Sequence, residues 1–186
     1  MKIENIVAAG NLFTKVNTLY FIDKIYHTKK AEINSNRIII HIVDMNKFGP
    51  EFRGSITLFE SGKMLVLGTK SFKALYYNVL YLLSKLYVYG VKFNYVPVVE
   101  VVNVVFTSSL GTPVNLDELA FILENVDYDT DNFPGAIYLI DEPRSAILIF
   151  STGRVVVVGH LDEKSAKQAL NKLKQELIDS GFIDVL

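Results

Sequence analysis

The chain repeats itself, and that repeat limits what it can fold into more than any other feature. Lys2-Ile-Glu-Asn5-Ile-Val-Ala-Ala returns as Val101-Val-Asn103-Val-Val-Phe-Thr. Leu58-Phe59-Glu-Ser-Gly62-Lys63-Met-Leu-Val-Leu-Gly68 returns as Ile149-Phe150-Ser-Thr-Gly153-Arg154-Val-Val-Val-Val-Gly159. Two copies of a long ordered pattern mean two copies of one supersecondary unit. Each copy runs into a stretch of helical periodicity, about 71–87 and about 162–179. Each half therefore reads strand, helix, three strands, helix, with residues 1–92 as a degenerate first repeat and 93–186 as the second, together one domain. The offset is 98 at the asparagines (103 − 5) and 91 at the phenylalanines (150 − 59). The first half thus carries an insertion, expected around Met45–Phe52 and before Arg37. Duplicated halves of this kind are expected to join edge to edge in one continuous sheet with pseudo-two-fold symmetry.

The second half shows the problem such a sheet poses. Ala136–Ile140, Ala146–Phe150 and Val155–Val158 are apolar at consecutive positions instead of alternate ones, so both sheet faces are apolar. Turn signals separate them, at Pro143-Arg144 and Ser151-Thr-Gly153. The helix that follows has one apolar stripe, Ala166, Leu170, Leu173 and Leu177, and a charged reverse. One helix layer covers one face, and something else must meet the other.

Composition removes several classes of function. The chain has 186 residues, 50% of them hydrophobic, which is enough for a real core. It has no cysteine, so disulfides, thiolate metal sites and cysteine nucleophiles are excluded. His27, His41 and His160 are scattered and not at ligand spacing, so neither a metal nor a cofactor is expected. No signal peptide precedes Lys2 and no apolar run nears a membrane span, which predicts a soluble, cytoplasmic, nucleoid-associated protein with no membrane partner. The net charge of −1 decides nothing about nucleic acid, so local patches must.

Several motifs occur together in one order: Asn-Ile-Val, then Phe133-Pro-Gly-x-Ile-Tyr, then Glu142-Pro-Arg, Leu-Ile-Phe-Ser-x-Gly and a closing glycine. This pattern resembles the TATA-box-binding protein family, especially its archaeal members, closely over Val101–Gly159 and more loosely in the first half. The resemblance implies an α+β fold: a saddle-shaped, curved antiparallel sheet of ten strands in two pseudo-symmetric repeats. Four helices would cover its convex face, and the concave apolar underside would lie on the DNA minor groove.

Alternation along the strands supports this reading independently. Asn103 with Val105, Phe133 with Ile137, Leu148 with Phe150, and Arg154 with Val156 and Val158 each share a face. With Val7, Phe59, Leu65 and Leu67 from the first half they make an uncovered apolar surface larger than a monomer normally tolerates. A minor-groove floor presents few and degenerate hydrogen-bonding groups, so an apolar sheet with two central asparagines can fit it. The resemblance makes Asn5 and Asn103 base-edge contacts. It makes Phe133, Phe150 and Phe59 wedges between base steps, with Ile38 as the fourth, replacing a phenylalanine. Arg37, Lys63, Lys70, Arg144 and Arg154 match phosphate-holding positions. Asp129, Asp131 and Asn132 sit where the family meets transcription factor B.

The chain also departs from the family. Leu67 and Val158 replace groove-floor threonines. Leu139, Leu161 and Asp44 stand where cations are expected. Each lost phosphate contact weakens binding and flattens its salt dependence. The helix from about Ser71 carries Tyr76, Tyr77, Leu80, Tyr81, Leu83 and Tyr87 beside its inward leucines, so it is apolar nearly all round. Such a helix is buried or an interface, and Tyr77 and Tyr81 are expected to meet a second copy or another protein. The expected function is a divergent, non-enzymatic paralogue that binds and bends A·T-rich double-stranded DNA, weakly by itself, and recruits a B-type factor. The alternatives are a protein-interaction module of the same fold that has lost promoter binding, and an accessory domain of a nuclease-like enzyme.

Overall fold

The computed structural model describes residues 1–22, 31–34, 36–42, 53–142 and 144–183. The chain divides into two compact units, one spanning Glu4–Val102 and the other Asn103–Leu186 with Met1–Ile3. The first contains β1 (Lys2–Asn11) from Glu4 onward, α1 (Thr18–Ile22), β2 (Ala31–Asn34), β3 (Arg37–Ile42), β4 (Gly54–Phe59), β5 (Lys63–Thr69), α2 (Phe72–Val88) and the first residues of the next strand. The second contains β6 (Val98–Ser109) from Asn103 onward, α3 (Leu116–Ile122), β7 (Val126–Asp127), β8 (Ala136–Ile140), β9 (Ser145–Ile149), β10 (Arg154–His160) and α4 (Glu163–Asp179). Within the first unit the strands lie in the order β2-β3-β4-β5-β1, and within the second in the matching order β7-β8-β9-β10-β6. The observed pairings are antiparallel.

The two units share their helix caps and glycine turns. Asn17 caps α1 by accepting the Tyr20 N–H, and 98 residues later Asn115 caps α3 by accepting those of Asp117 and Glu118. Ser71 caps α2 through the Ala74 N–H, and 91 residues later Asp162 caps α4 through that of Ser165. In the β4–β5 turn the Gly62 N–H donates to the Phe59 carbonyl at 2.9 Å and the Leu12 N–H to the Gly62 carbonyl at 2.9 Å. Gly153 makes both bonds with Phe150 and Leu110, each at 2.8 Å. These two turns require glycine twice over. Their φ angles are +83° and +77°, and a Cβ would run into the Thr14 and Thr112 carbonyls respectively.

The offset is 98 at β1/β6, α1/α3 and β3/β8, 95 at β2/β7 (127 − 32), and 91 from β4 and β9 onward. The whole net insertion therefore lies between β3 and β4, where eleven residues separate Ile42 from Gly54 against four between Ile140 and Ser145. The expected site at Met45–Phe52 falls within that interval, outside the described residues. The second expected site, before Arg37, holds three extra residues ahead of β2, which a β2–β3 turn three residues shorter than the β7–β8 loop offsets.

Each sheet has one face against its helices. Ile6, Ala8, Ile38, Ile40, Ile56, Leu58, Met64 and Val66 are buried in the first unit, against Ala74, Leu75, Val79, Leu82 and Leu86 of α2. Val104, Phe106, Ala136, Tyr138, Ile147, Ile149, Val155 and Val157 are their counterparts, with Ala166, Ala169, Leu170, Leu173 and Leu177 of α4. The predicted stripe Ala166, Leu170, Leu173, Leu177 is the packed one. Tyr138 crosses this layer, its hydroxyl donating to Glu176 Oε2 at 2.7 Å, and burial, with that carboxylate beside it, pushes the phenol up. The chain has no helix among the described residues long and apolar enough to cross a membrane.

Candidate nucleic-acid interface

On the sheet face away from the helices, residues of opposite parity form cross-strand rows. In the second unit Thr107 pairs with Val156, Val156 with Leu148, and Leu148 with Ile137. In the first unit Ala9 pairs with Leu65, Leu65 with Thr57, and Thr57 with Ile39. These rows correspond position for position. Asn5, Val7, Phe59, Leu65, Leu67, Asn103, Val105, Phe133, Ile137, Leu148, Phe150, Val156 and Val158 are all half-buried, between the buried strand residues that point to the helices. Ile39, Thr57, Thr107, Ala9 and Ala146 belong to the same faces and were not singled out by motif. Parity counted outward from Phe59 and Val156 would have found them.

Ile38 does not belong there. It is 1% exposed, pairs with Leu58, and occupies the place of Ala136 on the helix side. Its side chain cannot wedge into DNA. The correspondence of offset 98 places Ile39, not Ile38, at the position of Ile137, and the first-repeat counterpart of Phe133 falls outside the described residues. The same count makes His41 the partner of Leu139, which is 50% exposed. Asp44 therefore does not hold that position, and it too lies outside the described residues.

Phe133 and Phe150 meet edge to face, with ring centroids 5.7 Å apart. The edge of one ring then lies on the electron-rich face of the other. Gly135 makes this approach possible: a Cβ there would lie 2.8 Å from Phe133 Cε1, 2.8 Å from the Ile149 carbonyl and 3.4 Å from Phe150 Cδ1. Asp129 holds the turn that delivers Phe133. Its carboxylate accepts the Asp131 N–H at 3.0 Å and the Asn132 side-chain amide, and its carbonyl accepts the Phe133 N–H at 2.9 Å. Asp129 is thus occupied in building the turn, which leaves Asp131 and Asn132 exposed at its tip.

Asn5 and Asn103 differ in their bonding. Asn5 Oδ1 accepts the Gly68 N–H at 2.7 Å, beside the bulge where β5 carries one extra residue against β1. Among the described residues no hydrogen bond ties the Asn103 amide. Lys63, Arg144 and Arg154 are exposed and Arg37 is half-buried. Lys70 is exposed too, but its ammonium lies 3.3 Å from Glu4 Oε2. Glu4 has the parity of the buried Ile6 and Ala8, so this ion pair ties Lys70 to the helix-bearing side of the strand.

Helix α2 turns Phe72, Tyr76, Tyr77, Leu80 and Tyr87 outward, with Tyr76 60% and Tyr87 73% exposed. Tyr76 and Tyr77 meet edge to face at 5.7 Å. Tyr81 is half-buried with Lys85 Nζ 5.5 Å from its ring centroid, and burial, then Tyr89, raise its phenol. Of the two expected contact residues, Tyr77 is the more open. Leu161, at 51% exposure, stands at the start of the connection to α4. No group of three or more metal-ligating side chains gathers among the described residues.

A duplicated five-stranded antiparallel unit with a helix-free apolar face, a ring pair in the second unit and bordering cations defines a class of sheet-surface binding proteins. Residues 98–179 match the family model of transcription factor TFIID, or TATA-binding protein. The chain is 36% identical over 184 residues to the TATA-box-binding protein of Pyrococcus furiosus, covering 99% of this chain and 93% of that one. It is 35% identical over 198 residues to that of Thermococcus kodakarensis, again covering 99% and 93%. The solved structure of Methanococcus jannaschii TBP matches with a TM-score of 0.77 at 25% identity, covering 96% of this chain and 98% of that one. The chain belongs to the TATA-box-binding protein family of transcription factors. The likeness agrees with the saddle-type α+β fold class that the motifs imply.

Proposed function

We propose that the protein binds A·T-rich double-stranded DNA in the minor groove through the helix-free faces of both repeats, bends it, and recruits a B-type transcription factor. The observation that carries this reading is the pair of matching, mainly apolar rows on the helix-free faces, Thr107-Val156-Leu148-Ile137 and Ala9-Leu65-Thr57-Ile39, half-buried except for the buried Thr57. Surface of this kind requires an apolar-tolerant partner, and a minor-groove floor is one. The Phe133/Phe150 pair is the wedge. Asn103, with its amide uncommitted, is the base-edge reader, and Lys63, Arg144, Arg154 and Arg37 hold phosphates. Asp131 and Asn132 at the turn tip meet the B factor, while Asp129 keeps the turn in shape.

Binding by the protein alone is weak, in the range of about micromolar near physiological salt, because so few cations face the duplex. Gel mobility shift on an A·T-rich duplex, with and without a B-type factor, tests the reading. A shift at low salt that the factor strengthens, and that Asp131→Lys uncouples from the factor without loss of the binary complex, is the expected outcome.

The exposed aromatic face of α2 favours a second reading: a protein-interaction module whose contacts run through Tyr76, Tyr77 and Tyr87, with a second copy of the chain or another protein. Tyr77→Ala should then disturb association while leaving any DNA shift intact.

A further inference from the structure

We infer that the first repeat holds a binding site for a small apolar α-amino acid at the end of β1, and that its occupancy competes with DNA for Lys63. The competition, though not the site, rests on the DNA-binding reading above. The starting point is one strained residue. Phe13 follows β1 with φ +53°, the left-handed region that a bulky side chain rarely adopts. Among the described residues it is the only non-glycine with a positive φ. At the equivalent position, 98 residues later, the second repeat has Gly111 at φ +96°. The two turns are otherwise alike. The Phe13 N–H donates to Asn11 Oδ1 at 2.8 Å, and the Gly111 N–H to Ser109 Oγ at 3.0 Å. Glycine makes this turn without strain, so phenylalanine costs stability for something the turn itself does not need.

Phe13 is 47% exposed, and its ring meets that of Tyr95 edge to face with centroids 6.2 Å apart. It walls a cavity of about 230 Å³ that lies wholly within the first unit. Gly10 and Asn11 of β1, Lys63 of β5, and Val98 and Glu100 from the start of β6 line the rest. Among the described residues neither Lys63 nor Glu100 has an ion-pair partner. One small cavity therefore presents an ammonium, a carboxylate and an aromatic wall together. Asn11 adds its side-chain NH2, since the turn uses only its oxygen.

A plain anion would meet repulsion from Glu100, and a plain cation from Lys63. A ligand carrying both charges avoids the conflict, with its carboxylate on Lys63 and Asn11 and its ammonium on Glu100. Charge-assisted hydrogen bonds of this kind are the strong ones. Phe13 and Val98 then receive an apolar side chain. The volume falls below the roughly 300–1,000 Å³ of sites for drug-sized ligands, which suits a molecule of amino-acid size. The second repeat cannot build this site, because Gly111 brings no ring. Lys63 is also among the cations proposed to hold phosphates. A ligand carboxylate bound to it withdraws one contact from the duplex.

The test is calorimetric titration of the full chain, without DNA, by leucine, by glycine, and by two single-charge analogues of leucine. Isocaproate keeps the carboxylate and lacks the ammonium, and isoamylamine does the reverse. Leucine should bind saturably, with glycine and both analogues weaker by about tenfold or more. Glu100→Gln and Phe13→Gly should each weaken leucine by about tenfold or more. Phe13→Gly should not lower the urea midpoint, because glycine relieves the strained turn. In a second titration, saturating leucine should weaken binding to an A·T-rich duplex about fivefold for the native chain and not for Glu100→Gln. Leucine that fails to bind, single-charge analogues that bind as well, or binding that survives Glu100→Gln overturns the site. Bound leucine that leaves duplex affinity unchanged overturns the competition. A chain that binds leucine and no duplex overturns the DNA-binding reading, and the competition with it, while the site stands.

Discussion

The amide oxygen of Asn5 accepts the backbone N–H of Gly68 at 2.7 Å, a bond that its counterpart Asn103 does not make with Gly159. The two asparagines hold equivalent positions and do different work. Asn5 closes a bulge, and Asn103 offers its amide outward. Asn5→Ala should lower stability by about 1 kcal/mol, because a strand N–H loses its partner. Asn103→Ala should leave the denaturation midpoint in place and weaken DNA binding. Urea unfolding and a duplex titration on the same two variants separate these effects.

Gly135→Ala should cost roughly 1–3 kcal/mol, since the added methyl has to displace either the Phe133 ring or the Ile149 carbonyl. If the ring gives way, the wedge is lost with it. Chemical denaturation reads the first effect, and 2-aminopurine unstacking reads the second.

Lys70 matches a phosphate-holding position in sequence, but Glu4 holds its ammonium at 3.3 Å. The other cations at matched positions are Arg37, Lys63, Arg144 and Arg154. At roughly 0.9 counterions per contact the slope of log K against log salt should be near −4. Lys70→Ala should leave the slope unchanged, and reversing charge at Lys63 together with Arg154 should abolish binding.

His160 is buried, and burial holds its imidazole below the ordinary 6.5, with Asp162 pulling weakly the other way. The unfolded chain therefore takes up a proton at a higher pH than the folded one. The contribution of His160 to stability is complete above about pH 6.5 and is lost as pH falls from there through its folded pKa. Asp162, lowered by the Ser165 hydroxyl, loses its contribution only in the more acidic range of a carboxylate. Thr69 holds the position of His160 in the first repeat. His160→Thr should thus flatten the decline of thermal stability as pH falls below about 6.5, as followed by circular dichroism.

The repeat made most of the fold legible. Asn5 with Asn103 and Phe59 with Phe150 fixed two offsets, and the helix caps, the glycine turns and every strand except β2 obey one or the other. Parity then separated helix-side from helix-free residues wherever a strand carried a marker. It failed at β3, where Ile38, Ile39 and Ile40 are chemically alike and no phenylalanine fixes the register. Composition could not show which isoleucine pointed inward, so Ile38 was assigned to the wrong face. The bonds of Asp129 and Lys70 were also illegible, because an acid in a turn and a lysine after a strand look the same whether they serve a ligand or a neighbour. Gly135 was visible in Phe-Pro-Gly, but its role depends on two rings meeting over it.

Energy transfer across an A·T-rich duplex labelled at both ends, saturated with protein at low salt, tests the central claim most directly. The account predicts that the ends draw together with the native chain, and that Phe150→Ala, which removes one ring of the 5.7 Å pair from a half-buried surface position, largely abolishes the change. Ile38→Ala, placed in the core, should affect stability and not bending. A saturated duplex whose end-to-end distance stays that of free DNA, or bending that survives Phe150→Ala, would contradict it.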